Sequence, residues 1–320
     1  MIRIGVIRGG VSNEYDVSLA SGANILRVIT EKLSDKYTPV DVFLSKDGEF
    51  HVRGRVVSAA QLPEYIDVAW NALHGAYGED GGLARALAIF KIPFVGTPAE
   101  DAARAHHKLL AKEMVKSIGI KTAPHVDFTV SNNPEELVRF VHSKLSPPWV
   151  LKPISGGSSL GVTIARTMPE LMEAIKENEG REMMVEEFIT GREATVATIR
   201  GFRGEDVYSF LPIEIRVPDG KFFDYEHKYD GTALEISPAR FALHEQKELE
   251  ESAKKIHHHL GLRHIARSDF IVSPRGVYFL EVNSSPGMTP MSLVPKSLDP
   301  VGATLHEVID HAVSLAIMGK

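Results

Sequence analysis

The chain has 320 residues, 43% of them hydrophobic and 24% charged, which at roughly 100–200 residues per domain suits two or three soluble, compact domains. A formal net charge of −6, with no Lys/Arg-rich run, argues against a nucleic-acid binder. With 0 cysteines, disulfides, cysteine metal sites and a thiol nucleophile are excluded.

From the N-terminus, Ile2 to Ile7 is apolar and β-rich, and Gly9-Gly10 breaks it. Ser12 to Glu14 can cap a helix running from Val17 to Leu33. Val40 to Leu44 and Val68 to Leu73 read as strands, the latter ending at His74-Gly75. Gly82 to Phe90 has helical spacing, and Ile92 to Val95 is a short strand. Strand, glycine turn, helix and strand again is the doubly wound α/β pattern. Its ligands bind beyond the carboxyl ends of the strands, where both glycine turns fall. No signal-peptide pattern opens the chain and no window reaches ~18 apolar residues, so a soluble, cytoplasmic protein without membrane contact is expected.

Ala99 to Ile118 reads as one helix stopped by Gly119, and Pro124 opens an extended stretch. Glu135 to Ser143 is helical, and Pro147-Pro148 leads into a strand from Trp149 to Lys152. Between that strand and the next, Val162 to Ala165, lies the most Gly/Ser-dense segment, Ser155 to Gly161. Its small residues let backbone N–H groups approach a polyphosphate, Ser158 and Ser159 add hydroxyls, and Lys152 adds a positive charge. It is not a P-loop, and a plain flexible hairpin has the same composition. Strands follow at Met183 to Phe188, Thr195 to Arg200, Val207 to Ile213, Ile265 to Val272 and Val277 to Val282, with helices at Leu243 to His259 and Gly302 to Met318.

Alternation puts Glu281 and Asn283 on one strand face, and a hairpin through Pro274-Arg275-Gly276 would bring Asp269 to it. Two carboxylates and an amide oxygen suit Mg²⁺, while a solvated sheet face is the structural alternative. Arg267, two residues from Asp269, projects the same way and can hold charge developing on a reacting group. Beyond this strand Gly287 marks a turn, and Thr289 and Ser292 can bind a small carboxylate. Asp224 to Gly231 reads as a surface loop from which Lys228 can reach a phosphate and Tyr229 can close a site. His257-His258-His259 fan apart on a helix and read as a solvated helix end; His106-His107 read as equally unlike a metal site. His74, at a strand end, suits a site role or a structural one.

Taken together, the order and spacing of these motifs resemble D-alanine–D-alanine ligases over nearly the whole chain. The matching segments include Gly9-Gly10-x-Ser12-x-Glu14, Leu73-His74-Gly75-x-x-Gly78-Glu79-Asp80-Gly81, Lys108, Lys152-Pro153 and Gly157-Ser158-Ser159-Leu160-Gly161. Further on come Glu186, Gly191-Arg192-Glu193, Asp224-Tyr225-Glu226-x-Lys228-Tyr229, Arg267-x-Asp269 and Glu281-x-Asn283-x-x-Pro286-Gly287-Met288-Thr289-x-x-Ser292-Leu293. The resemblance implies the ATP-grasp fold: a doubly wound parallel-sheet domain over residues 1–98, then two α+β domains, 99–184 and 185–320, clasping ATP. It implies ATP contacts from Lys108, Lys152, Ser159, Glu186, Glu193 and Lys228, and two Mg²⁺ (or Mn²⁺) on Asp269, Glu281 and Asn283. Glu14 would bind the ammonium of the first D-alanine, with Ser158 and Tyr229 closing over it. Arg267 and the Gly287 N–H would stabilise the tetrahedral intermediate, His74 would line the substrate site, and Ser292 and Leu293 would meet the second carboxylate. A homodimer making a peptidoglycan precursor is implied as well.

The chain departs from the family pattern in places. His106-His107 stand where Met-Asp is usual before the lysine, Gly156 where an acidic residue is usual, and Asp16 where glutamate is usual. The loop after Tyr229 also differs, reading Thr232-Ala233-Leu234-Glu235. These positions bear on loop closure and substrate choice. D-lactate, D-serine or another amino acid as second substrate, and a nucleotide binder without catalysis, are the competing readings; Lys228-Tyr229 favours D-alanine, and intact Arg267 and metal-ligand candidates favour an enzyme.

Overall fold

The computed structural model describes residues 1–129, 133–157, 161–216 and 234–319. Ser158, Ser159, Lys228 and Tyr229 lie outside the described residues, as does the whole polar loop Asp224 to Gly231 expected to close the site.

The first sheet has the order β4-β3-β2-β1-β5-β6. Its strands are β1 (Ile2–Gly9), β2 (Tyr37–Leu44), β3 (Phe50–Val52), β4 (Arg55–Val57), β5 (Val68–Asn71) and β6 (Phe94–Val95). β1 pairs in parallel with both β2 and β5, and β5 with β6, as the doubly wound pattern requires. The β3–β4 hairpin was not expected; its strands are too short to show alternation. β1 ends at Gly9 with φ +99, where a Cβ would stand 2.3 Å from the Leu44 carbonyl oxygen, so only glycine fits. The helix Tyr15–Lys32 begins two residues before the expected start and buries Ile25, Val28 and Ile29 against the sheet. The C-terminal helix Leu305–Ile317 returns to this same sheet. Thr304 caps it by accepting from the Glu307 N–H, and Val308, Ile309, Ala312 and Val313 enter one core with Ile4, Val6, Ile25 and Ile29. At about 1.5–3 kcal/mol per buried aliphatic side chain, this packing ties the two ends of the chain together.

The single helix expected over Ala99 to Ile118 is two, Ala99–His106 and Lys108–Ser117. His107 is extended between them (φ −85, ψ 102), and its side chain caps the second by accepting from the Leu110 N–H. The break lets the Lys108 N–H reach the Ile154 carbonyl at 2.9 Å, which brings Lys108 against the Gly/Ser segment.

The second sheet is antiparallel, in the order β10-β9-β11-β8. It consists of β8 (His125–Thr129), β9 (Trp149–Pro153), β10 (Thr163–Ala165) and β11 (Glu182–Glu187). Residue 184, the expected domain division, lies inside β11. A helix over Met168–Glu177 was not expected, although its signals are present. Thr167 caps it, Pro169 occupies its first turn, and Leu171, Ala174 and Ile175 form its buried stripe.

The third sheet runs β15-β14-β12-β16-β17-β7, with β13 beside β12. Its members are β7 (Lys121–Thr122), β12 (Arg192–Arg200), β13 (Val207–Ser209), β14 (Ile213–Arg216), β15 (Leu234–Ile236), β16 (Ile265–Ser273) and β17 (Gly276–Asn283). The stretch Val207 to Ile213, expected as one strand, holds the whole of the short β13 and the first residue of β14. The helix Leu243–His259 covers this sheet with the limits the sequence suggested. His257, expected on a solvated helix end, is 1% exposed and its Nδ1 lies 2.9 Å from Thr198 Oγ1. The helix face carrying Leu249, Ala253 and Ile256 passes through it, so periodicity places it inside.

Candidate active site

β16 and β17 form the expected hairpin. Asp269 stands opposite Glu281 and Arg267 opposite Asn283, so all four side chains share one face. A β-bulge between Asp269 and Phe270 re-aims the strand beyond them. Arg267 grips Asp269 through two bonds, Nε to Oδ1 at 2.9 Å and NH2 to Oδ2 at 2.8 Å, while Thr195 donates to Oδ1 at 2.6 Å. Burial alone would lower the Arg267 pKa; the charges of Asp269, Glu281 and Glu79 outweigh it and hold the pKa above the ordinary arginine value.

Two cavities meet at this face and share Lys108, Gly156, Gly157 and Glu281. Lys108 Nζ stands at the junction, 3.3 Å from Glu281 and 2.5 Å from the Gly156 carbonyl oxygen.

The apolar side of one cavity is made by Val150, Val162, Ile164, Phe188, Ile189 and Leu280, and charged side chains around it include Lys152, Glu186, Glu193, Asp269 and Glu281. Glu186 lies between two ammonium groups, with Lys112 and Lys152 each 2.7 Å from one of its oxygens. Burial alone would raise the Glu186 pKa, but the two lysines bring it down to about 2. Lys112, completely buried, is brought down to about 8 by desolvation and by Lys152 against the pull of Glu186. Its ion-pair distance to Glu186 is short, yet the geometry is too bent for a hydrogen bond, so the contact is chiefly Coulombic. An apolar slot ending in fixed charges is the general form of a small-molecule site that takes a flat apolar group with a charged tail.

The second cavity is more polar. Glu14, His74, Glu79, His106, Arg267, Asn283, Gly287, Thr289, Ser292 and Leu293 line it. Glu14 is pressed between Gly75 and Gly157, where added Cβ atoms would come within 3.0 and 2.9 Å of its Oε2. Gly75 needs its glycine for φ +67 also. Ser292 caps the helix Leu293–Leu298 and accepts from the Thr289 N–H at 3.0 Å, and a Cβ on Gly287 would come within 2.8 Å of its Oγ. His74 is buried, with Nε2 3.2 Å from Ser21 Oγ and Nδ1 3.7 Å from Glu79. This wall is fastened to the third sheet: Asn24 donates to the Met288 carbonyl at 2.6 Å, and Ser285 donates to the Asn71 and Leu73 carbonyls at 3.2 and 3.1 Å.

Every described candidate from the sequence therefore lines one of the two cavities. Lys112, Glu79 and Glu235 were not singled out for a role. Lys112 falls one helical turn after Lys108, a spacing that would have pointed to it. Glu79 sits in a glycine-flanked segment whose direction only the fold reveals. Among the described residues, no group of three or more His, Cys, Asp or Glu side chains is arranged to hold a metal. The candidate ligand set has two carboxylates and one amide, all hard oxygen donors on one face, and so fits Mg²⁺ by chemistry. Asp269, with about four lone-pair directions, can donate to a cation while keeping Arg267.

Three sheets of this topology, with an apolar and a polar cavity joined at an arginine and oxygen donors, define the fold of an ATP-grasp ligase. The family model described as D-ala D-ala ligase C-terminus matches residues 114–314. A D-alanine–D-alanine ligase of Carboxydothermus hydrogenoformans is 33% identical over 326 aligned positions, spanning 100% of this chain and 99% of that protein. The solved structure of the VanG D-Ala:D-Ser ligase of Enterococcus faecalis superposes with a TM-score of 0.84 at 27% identity, covering 98% of this chain and 99% of that one. The D-alanine–D-alanine ligase of Bacillus anthracis complexed with ATP gives 0.78 at 28% identity, covering 99% and 98%. The chain belongs to the D-alanine–D-alanine ligase family.

Proposed function

We propose that the chain joins two D-alanines to D-alanyl-D-alanine at the expense of ATP, through a D-alanyl phosphate. The observation that carries this reading is the shared face of Arg267, Asp269, Glu281 and Asn283 at the junction of the two cavities. In this reading the three units of the chain follow the three sheets, with ATP between the second and third.

The apolar slot takes adenine, Glu186 and Glu193 accept from its amino group and from the ribose, and Lys108 and Lys152 hold the phosphates together with Ser159 and Lys228. Asp269, Glu281 and Asn283 would hold two Mg²⁺, which neutralise phosphate charge when bound. Glu14 holds the ammonium of the first D-alanine, and His74 lines its site. The carboxylate of that D-alanine attacks the γ-phosphorus and ADP leaves. A carboxylate is a poor acyl donor because oxide must leave; the acyl phosphate replaces oxide with phosphate. The amine of the second D-alanine, its carboxylate held by Ser292 and by the backbone at Leu293, attacks the acyl carbon. Arg267 and the Gly287 N–H bear the negative oxygen that forms, and phosphate departs with the bonding electrons. Ser158 and Tyr229 complete closure over Glu14 and keep water from the acyl phosphate. We further place the enzyme in the cytoplasm, where ATP is supplied, as a homodimer making a peptidoglycan precursor; among the described residues no helix is long and apolar enough to cross a membrane.

The test is phosphate release from ATP and Mg²⁺ with D-alanine alone, L-alanine alone, and D-alanine with D-lactate or D-serine, the products being weighed by mass spectrometry. Release with D-alanine alone and a D-alanyl-D-alanine product supports the reading. A mixed product formed in preference to the dipeptide keeps the fold and chemistry and replaces the second substrate, and no release with any pair removes the enzyme reading.

A further inference from the structure

Resting on the ligase reading, one problem is left that the residues above do not solve. The second amino acid arrives as an ammonium ion, which has no lone pair, and must lose a proton before it can attack. We propose that His106, held by Glu79, accepts that proton.

His106 belongs to the amino-acid cavity and its side chain is 12% exposed. Its Nδ1 faces Glu79 Oε2 at 3.6 Å. His74 faces the other oxygen of the same carboxylate with its own Nδ1 at 3.7 Å. The two rings differ in their remaining nitrogens. His74 Nε2 is 3.2 Å from Ser21 Oγ, whereas His106 Nε2 has no hydrogen-bond partner among the described residues. A buried carboxylate behind one ring nitrogen with the other nitrogen left over is the arrangement that makes imidazole a base: the carboxylate fixes the tautomer and stabilises the imidazolium. Burial alone would raise the Glu79 pKa, and the two histidines bring it down to about 2, so the carboxylate is charged whenever it is needed. Glu79 is also close enough to act on the charge of Arg267, which puts the cluster within electrostatic reach of the proposed acyl-transfer centre.

The other titratable groups around this cavity are Lys108 on the helix that follows His106, Arg267 and Glu281 on the third sheet, Glu235 at its edge and Glu14 opposite. Lys108 and Glu281 are paired with each other, Arg267 with Asp269, and Glu235 with Lys296. The step balances without a further reactant. Nε2 takes one proton from the ammonium, the freed nitrogen pair forms the C–N bond, the acyl C–O bond breaks with its electrons on the departing phosphate, and that phosphate carries off the second proton shed by the nitrogen as the amide forms.

The experiment separates the two half-reactions. Hydroxylamine, already neutral at pH 7, traps the acyl phosphate as a hydroxamate and needs no base from the enzyme. In His106→Met, hydroxamate formation from D-alanine and ATP is expected to stay within about twofold of wild type, while dipeptide formation falls ~10²-fold. The acid limb of kcat/KM for the second amino acid that the wild type shows is expected to vanish. His106→Gln serves where the Met variant does not fold. His106→Asn is the third variant, read in the same way. Dipeptide formation within about threefold of wild type, an equal fall in both half-reactions, or an unchanged acid limb would overturn the proposal. Failure of the ligase reading looks different, since the wild type would then yield neither hydroxamate nor dipeptide from D-alanine.

Discussion

The apolar cavity, proposed as the nucleotide side, and the polar cavity, proposed as the amino-acid side, share Lys108 and Glu281, yet they are held in different ways. On the nucleotide side, Lys112, Glu186 and Lys152 are buried, and each lysine lies 2.7 Å from one oxygen of Glu186. On the amino-acid side, Glu79 stands 3.6 and 3.7 Å from its two histidines, too far for a hydrogen bond. The first arrangement is tight before any ligand arrives. The second has room to tighten when substrates enter, as catalytic contacts often do. In the proposed reading, the charges that only bind are fixed in advance, and the groups that exchange protons keep the freedom to move them.

Arg267, where the cavities join, should show the largest effect. Arg267→Ala is expected to lower turnover by ~10²-fold or more with secondary structure retained, because one oxyanion donor is worth about 3–4 kcal/mol. Steady-state phosphate release and circular dichroism check this, and a folded variant with near-normal turnover sinks the role. Next is the nucleotide side. Lys112→Met removes one partner of a buried pair, a change that costs about 3–5 kcal/mol; Glu186 keeps Lys152, so about 3 kcal/mol is expected in urea unfolding. A loss under about 1 kcal/mol would mean that this side is not the tight one.

A smaller effect separates these networks from the fold by pH. His257 and His264 are buried, and desolvation brings their pKa values down to about 3 and about 4. The unfolded chain binds these protons near pH ~6.5 and the folded chain does not, so stability falls as pH drops below that value. Glu186 and Glu79, at about 2, act in the opposite range: their contribution is present above the unfolded carboxylate pKa and is lost only as pH falls toward 2. Urea midpoints should therefore already decline between pH ~6.5 and ~4.5, and His257→Gln should flatten that decline. An equal slope in the variant would assign the loss elsewhere. The smallest effect belongs to Gly157→Ala. The added Cβ would come 2.9 Å from the movable end of Glu14, so stability should change by under about 1 kcal/mol while KM for the first amino acid rises several-fold and KM for ATP does not. Equal rises in both would erase the distinction between the cavities.

The same difference explains what could be read in advance. Asp269, Glu281 and Asn283 belong to one hairpin, where alternation alone decides which side chains share a face, and their register was legible before the structure. Glu14, Glu79, His106 and Ser292 come from segments far apart in sequence, and only the docking of the first sheet on the third brings them together; Asn24 to Met288 is one of the bonds that does so. The helix break at His107 was also hidden, because Ala99 to Ile118 is rich in helix formers on both sides of it and the break is made by a tertiary bond from Lys108 to Ile154. His257 was misread for the opposite reason: the eye stops at three consecutive histidines, whereas the helical period continues through the first of them.

The central claim is an acyl phosphate formed on the first D-alanine, and its most direct test follows the carboxylate oxygens. With D-alanine labelled in its carboxylate by oxygen-18, the account predicts that each phosphate released carries one labelled oxygen, since that oxygen bridges carbon and phosphorus before the amine attacks. Unlabelled phosphate released together with dipeptide would contradict it.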